Sequence, residues 1–416
     1  MRSIIWLLLL GVVAVVAATT LGGNDGLVTI YWSGWRTELS LNLFILLLLA
    51  GVALLFSAAQ ALRSLLTLPE RASRWRALRR ERAAHAALRE ALGEYFGARY
   101  SRAHKAAQKA LALSDEVPQL KADAEFAMLA RILAASGLHR LQNRSGRDAQ
   151  MQLLWQQAGP RGGGHGVEDG ARLLAAEWAI EDRDGDRASE LLEQLPAGVA
   201  RRTQALRLKL QASRLQQRPL QALSTARLLA KHQGFTPLAA RGLLRSLAAE
   251  SIDEMHDLQQ LQRLWDQFDA ADRRDASVAA RAARRAVQLA GAATGREWLR
   301  PFWERTRELD RDDRDAVALA LFDAVSGIEV EWLPRLQAAL DAHRLEAAVV
   351  AAVGIAYAER QLWGKARGLL EQSAAAAGDL PAGVRRRCLR ALAEMARECG
   401  DDAAAQAHER AAAAMD

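Results

Sequence analysis

Cysteine is nearly absent from this 416-residue chain, which holds only Cys388 and Cys399. With no C-x-x-C or C-x-x-C-H anywhere, a disulfide framework, a zinc ribbon, a redox dithiol and a covalent haem attachment are excluded. The two thiols lie eleven residues apart on a helical-looking segment, too far along one helix axis for a bridge. Both are read as buried small apolar residues in a reducing compartment. The eight histidines, at 85, 104, 139, 165, 232, 256, 343 and 408, never form H-x-x-x-H or meet Cys or carboxylate at ligand spacing. Beyond residue 83 there is no sustained period-2 alternation, which excludes a sheet domain. Nucleophile elbows, carboxylate pairs and dinucleotide fingerprints are missing too. The glycine-rich GPRGGGHGVEDG around His165 lacks a G-K-[ST] ending and a preceding strand, so it is read as a flexible insertion. No catalytic or metal residue is assigned and no cofactor is expected, and the chain is read as non-enzymatic.

Charge is the next absence. Ser3–Leu21 and Leu39–Leu62 contain no charged side chain. A bilayer core asks for roughly 20 apolar helical residues, so both runs are read as transmembrane helices, about 3–21 and 39–62. A cleaved signal peptide is the alternative for the first, disfavoured by its long uncharged stretch. Between them, residues 22–38 alternate Val28, Ile30 and Trp32 with Thr29 and Tyr31 before Gly34, predicting a short hairpin with Trp32 and Trp35 at headgroup depth.

The formal charge of +7 is not spread evenly. Arg2 and Arg36 balance Asp25 and Glu38 in residues 1–62. Seven arginines against Glu70 and Glu81 give +5 in residues 63–82, leaving +2 for the other 334 residues. The block RASRWRALRRER (71–82) follows the second run closely. By the positive-inside rule both termini are cytoplasmic and the hairpin is periplasmic. Residues 63–82 are read as a basic juxtamembrane helix. Arg71, Arg74, Arg76, Arg79, Arg80 and Arg82 are expected to meet anionic lipid at about 1 kcal/mol each, rather than nucleic acid.

What fills residues 83–416 is Ala, Leu, Arg, Glu and Gln with apolar residues at three- and four-residue spacing, predicting helices throughout. Breaks are expected at Pro118, Gly137, 159–166, Gly185, 196–198, Pro219, 234–237, 291–295, Gly327, Pro334, 378–381 and Gly400. The segment VVAAVGIAYAERQLWGKARGLLEQS places Gly354, Tyr357, Ala366 and Leu370 at tetratricopeptide intervals. A small residue lets one helix approach its neighbour, and an alanine twelve residues on seats the second helix. Degenerate copies appear at Ala393, Gly400 and Ala405, at Ala176, Ala188 and Leu192, at Ala222, and at Tyr100, Ala103 and Ala110. About nine helix pairs of ~34–39 residues would fill the region. The fold expected is all-α: two transmembrane helices, then a tetratricopeptide-like α-solenoid over 83–416, which acts by binding partners in a groove. The run ERTRELDRDDRD (304–315) is read as a solvated, salt-bridged face. Trp265, Trp298, Phe302, Trp303, Trp332 and Trp363 are read as core.

Taken together the pieces resemble the proteobacterial HemY family, which is unrelated to the Gram-positive protoporphyrinogen oxidase of the same name. The resemblance covers essentially the whole chain and is carried by GLVTIYW, ALGEYFGARYSRAHKAAQKAL and LRPFWERTRELDRDDRDAVALALFDAV. The glycine-rich 159–166 and the blurred repeats between 115 and 165 depart from it. It implies a role in haem or tetrapyrrole metabolism at the cytoplasmic face of a bacterial inner membrane, and it supplies no catalytic residues. The leading expectation is a scaffold for haem-pathway proteins. A direct haem or porphyrin carrier, and an envelope adaptor unrelated to haem, are the alternatives.

Overall fold

Helix-forming residues dominate the chain from residue 41 onward, and helix is what they build. The computed structural model describes residues 26–157, 165–232 and 234–415. The expected apolar helix 3–21 and the glycine-rich stretch 159–164 lie outside these residues. Among the described residues the one sheet is an antiparallel pair, β1 (Leu27–Trp32) and β2 (Trp35–Ser40), in a register that sets Trp32 opposite Trp35. Ser33 and Gly34 between them have φ of 48° and 88°, the two positive values that a two-residue type I′ turn requires.

Eighteen helices of nine or more residues follow among the described residues. They are α1 (Leu41–Phe96), α2 (Tyr100–Asp115), α3 (Ala124–Arg140), α4 (Arg144–Gln157), α5 (His165–Glu181), α6 (Gly185–Glu193), α7 (Thr203–Leu215), α8 (Pro219–Lys231), α9 (Pro237–Asp253), α10 (Leu258–Gln267), α11 (Ala276–Gln288), α12 (Ala292–Trp303), α13 (Arg311–Asp323), α14 (Leu333–Ala342), α15 (Ala347–Glu359), α16 (Trp363–Ala375), α17 (Ala382–Glu398) and α18 (Asp402–Ala413). Read in order they make nine pairs.

One turn joins most of the pairs. Ala98, Gln142, Arg183, Gln217, Ala290, Gln361 and Gly400 each take positive φ between the first and second helix of a pair. The amide one residue later donates back five residues at 2.8–2.9 Å every time, from Arg99 to Glu94 and from Leu362 to Tyr357 for example. That is a Schellman closure, which satisfies carbonyls that a helix end leaves orphaned. Six of the seven left-handed residues carry a Cβ, which is disfavoured by about 1–2 kcal/mol relative to right-handed geometry.

The same turn fixes two positions twelve apart, one seven before it and one five after. Both are small in Ala91/Ala103, Ala176/Ala188, Ala283/Gly295, Gly354/Ala366 and Ala393/Ala405, while Ala135/Arg147 and Leu210/Ala222 each hold one large residue, and nearly all are buried. A Cβ on Gly295 would stand 3.0 Å from the carbonyl oxygen of Ala283, and one on Gly354 would stand 3.1 Å from Cβ of Leu369. Gly137, expected as a break, lies inside α3, where its Cβ would come within 3.1 Å of the Tyr100 carbonyl. It marks a crossing of α3 over α2.

The chain divides into two compact units, residues 1–167 and 168–416. In the first, Ala84, Ala87 and Ala91 on the C-terminal part of α1 are buried among residues of α2 and α3. The expected boundaries at 62/63 and 82/83 therefore fall inside one unbroken helix. In the second unit each core passes into the next. Helix α11 turns Val278, Ala282 and Ala286 to the cluster built from α7–α10, and Ala276, Ala279, Ala280 and Ala283 to that of α12–α17. Helix α15 is buried all round from Ala348 to Ala358. Where α13 meets α14 the usual turn is missing. Buried Arg296 of α12 instead donates to the carbonyls of Ala324 (2.8 Å), Ser326 (2.6 Å) and Gly327 (3.1 Å).

Replacing Gln361 by glycine should raise stability by about 0.5–1 kcal/mol, and Gly400→Ala should lower it by a similar amount. Opposite shifts in the thermal midpoint of the helical circular-dichroism signal would show this. Gly295→Ala should cost about 1–3 kcal/mol by overpacking, whereas Gly364→Ala, with nothing within 4 Å of its added Cβ, should leave that midpoint within error of the parent.

Candidate membrane module

The hairpin sorts its residues by face. Val28/Leu39, Ile30/Thr37 and Trp32/Trp35 pair on one side, and Thr29/Glu38 and Tyr31/Arg36 on the other, where Arg36 and Glu38 form an ion pair. Trp32 and Trp35 at the tip are 79% and 81% exposed. The Leu41 amide donates to the Gly26 carbonyl at 2.9 Å, and the Ser40 hydroxyl accepts from the Leu43 amide at 3.3 Å. The base of the hairpin is thereby tied to the first turn of α1, with Ser40 as its N-cap.

From Leu41 to Arg63 that helix has a mean hydropathy of 2.5, and none of its apolar window is buried against protein. Leu46, Leu47 and Leu48 and then Leu54, Leu55 and Phe56 are all more than half exposed, so the apolar surface runs around the whole helix. Soluble helices bury one stripe; an all-round apolar surface needs an apolar solvent. These 23 residues are long and apolar enough to cross a membrane.

Arginines follow. Arg76, Arg79, Arg80 and Arg82 are exposed, with the Arg79 guanidinium 5.4 Å from the Trp75 ring centroid and Arg80 Nε 3.3 Å from Glu116. The side chains of Arg71 and Arg74 lie outside the described residues. The helix continues without a break into the Ala84–Ala91 contact. At 1.5 Å per residue its 56 residues span about 84 Å.

Elsewhere the histidines and the residues read as core can be placed. His85 meets Phe126 edge-on at 5.1 Å, His104 Nδ1 lies 3.4 Å from the Ala134 carbonyl, His139 Nδ1 contacts Arg147 at 3.2 Å, and His343 Nδ1 contacts Glu346 at 3.0 Å. Among the described residues no three His, Cys, Asp or Glu side chains converge as a metal site would need. Trp303 and Trp332 are buried, and Trp265 stacks on Trp298 at 4.8 Å, as a core reading expects. Cys388 is buried, and burial pushes its thiol up to about 12. Cys399 corrects the expectation for the pair: it stands exposed at the end of α17, where the Schellman turn faces solvent.

The run 304–315 is salt-bridged, but part of it is buried rather than solvated. Asp313 is 5% exposed and accepts from Arg241 at 2.7 Å and Arg245 at 2.8 Å, both from α9. Arg245 also donates to Asp275 at 2.8 Å. Hence three successive pairs are locked at the starts of their first helices. Residues brought together from 241, 275 and 313 have no local signature; only the left-handed turn, repeating every 34–44 residues where adjacent turns share it, could have aligned them in the sequence.

No curated protein matches the chain. Residues 26–135 match the family described as HemY protein N-terminus. That match takes in the hairpin, all of α1 with its apolar, basic and packed thirds, all of α2 and most of α3. A long apolar helix grown directly into helix pairs is thus the part of the molecule that is similar to the HemY N-terminus, and this match over residues 26–135 supports a HemY family protein.

Proposed function

We propose that this protein is a non-enzymatic scaffold or regulator of haem biosynthesis, anchored by two spans in a bacterial inner membrane. It would hold pathway proteins on a cytoplasmic tetratricopeptide-like solenoid. The observation that carries this reading is the single helix α1. Its first 23 residues offer apolar surface to lipid, and its last turns bury Ala84, Ala87 and Ala91 in the first helix pair. A partner held by that pair is held at a fixed distance from the bilayer, where poorly soluble porphyrin intermediates partition. The small residues twelve apart and their shared turn support the tetratricopeptide assignment, since they are the spacings of Gly354 and Ala366 repeated along the chain. Exposed Arg76, Arg79, Arg80 and Arg82 support the inward placement of the array. The link to haem rests on the family match. Tetrapyrrole carriage is the second reading, and a Soret response on titration with haem that persisted after each histidine was replaced in turn would remove axial ligation from it.

Thiol labelling tests the topology. A membrane-impermeant maleimide added to intact spheroplasts should modify a Ser33→Cys variant and leave native Cys399 untouched until the membrane is opened. Buried Cys388 should stay unmodified in both conditions. Labelling of Cys399 from outside would place the array on the wrong side. Crosslinking in cells followed by capture of the full chain should recover haem-pathway enzymes above a control in which residues 83–416 are deleted. Recovery no greater than that control would remove the scaffold role.

A further inference from the structure

Between Gln194 and Ala249 the chain has ten cations, from Arg201 to Arg245, and not one Asp or Glu. This segment holds the fourth helix pair, α7 and α8, and most of α9. Among the described residues only Arg227, Arg241 and Arg245 of the ten make ion pairs, with Asp269 and Asp272, and with Asp275, Asp310 and Asp313. The others are left to solvent. Three of them, Arg201, Lys209 and Arg218, outnumber the single acid, Glu193, around a cavity of about 290 Å³ whose walls include Leu192, Leu206 and Leu228. Leu192 and Leu206 are buried at its floor, and Leu228 is 48% exposed at its edge. An uncompensated block of like charge raises self-repulsion in the folded state, so it marks a surface that meets opposite charge.

We infer that the fourth helix pair is a docking surface for an acidic segment of a partner protein, with an apolar side chain in the cavity and flanking carboxylates on Arg201, Lys209 and Arg218. The inference rests on the scaffold reading and adds to it the place and the chemistry of recognition. Charge complementarity chooses the occupant, and the apolar cavity between the cations gives it register. Nucleic acid fits less well. Phe235 is the only aromatic residue from 194 to 249, so there is no stacking platform among these cations.

The test uses the full chain in detergent micelles and a fluorescein-labelled twelve-residue peptide of alternating Glu and Leu, read by anisotropy. Saturable binding is expected, weakening at least tenfold between 50 and 300 mM salt, with no binding of the matching Lys–Leu peptide. The triple variant R201E/K209E/R218E should weaken binding at least tenfold, and the milder R201Q/K209Q/R218Q should weaken it in the same direction while the helical dichroism stays unchanged. The charge-reversing change R273E/R274E, on exposed arginines outside the block, should weaken it less than threefold. Three results would each overturn the inference: no saturable binding, a triple variant no weaker than R273E/R274E, or equal binding of a single-stranded oligonucleotide of matched charge. If crosslinking captures the same partners with the triple variant as with the parent chain, the scaffold stands and this docking site falls. If the peptide binds as described but no partner is captured, the reverse holds.

Discussion

Everything beyond the membrane depends on how closely the two helices of each pair approach. That distance is set by residues with almost no side chain, Gly295 against the Ala283 backbone and Gly354 against Cβ of Leu369. A larger residue at either position would push the helices apart, because the neighbour is backbone or Cβ and has nowhere to go. Alanine serves here twice, since it also favours the helix that carries it. Fixing the crossing fixes the turn, and the turn demands a left-handed residue. Gln142, Arg183, Gln217 and Gln361 accept that conformation although glycine would adopt it with less strain. The two pairs that lack the turn use other means. Asp257 caps α10 by accepting from the Gln260 amide at 2.7 Å, and Arg296 reaches over from α12 to hold the carbonyls after α13.

The same economy operates at the membrane end. No linker separates the span from the first pair, because α1 serves both. About 32 Å of helix separates Arg63 from Ala84 at 1.5 Å per residue. A straight helix transmits tilt, whereas a flexible linker would discard it. The orientation of the span and that of the first helix pair are consequently one variable. The same helix also gives the juxtamembrane arginines a rigid mount, with Arg79 braced on Trp75 and Arg80 beside Glu116 of α2.

Most of this was legible in the amino-acid sequence wherever a physical rule acts over short range. The uncharged run 39–62, the hairpin turn at Gly34, and the spacing of Gly354, Tyr357, Ala366 and Leu370 each describe a local constraint, and each is met: Tyr357 is 2% exposed and its hydroxyl donates to Gln337 at 3.0 Å. Helices were expected throughout residues 83–416, and helices fill most of the described part of that range. The boundary at 82/83 was misplaced because a change in charge is not a change in backbone; nothing between Arg63 and Ala84 ends a helix. Gly137 looked like a break because a glycine at a crossing and one at a turn are the same letter. Cys399 looked buried because its burial depends on which side of the final Schellman turn it falls. Asp313 looked solvated because its partners lie 68 and 72 residues away. The acid-free stretch 194–249 disappeared in a charge sum taken over 334 residues, where acids at 253–323 cancel it on paper but not in space.

That cancellation has a structural logic. A carboxylate as buried as Asp313 is stable only if it is paired, and α9 supplies both Arg241 and Arg245 for the purpose. Asp272, also buried, takes Arg227 from α8. The acids that follow residue 250 are therefore engaged in holding neighbouring pairs together, and they draw on the cations nearest to them along the array. Those further back, on α7 and its flanking turns, are beyond their reach. Segregating acid from base along a repeat protein thus gives two different results from one composition. Where the blocks meet, opposite charges lock helix to helix. Where the basic block runs on alone, its charge remains available to something outside the chain, and screening by salt, not an internal partner, sets how far that field extends.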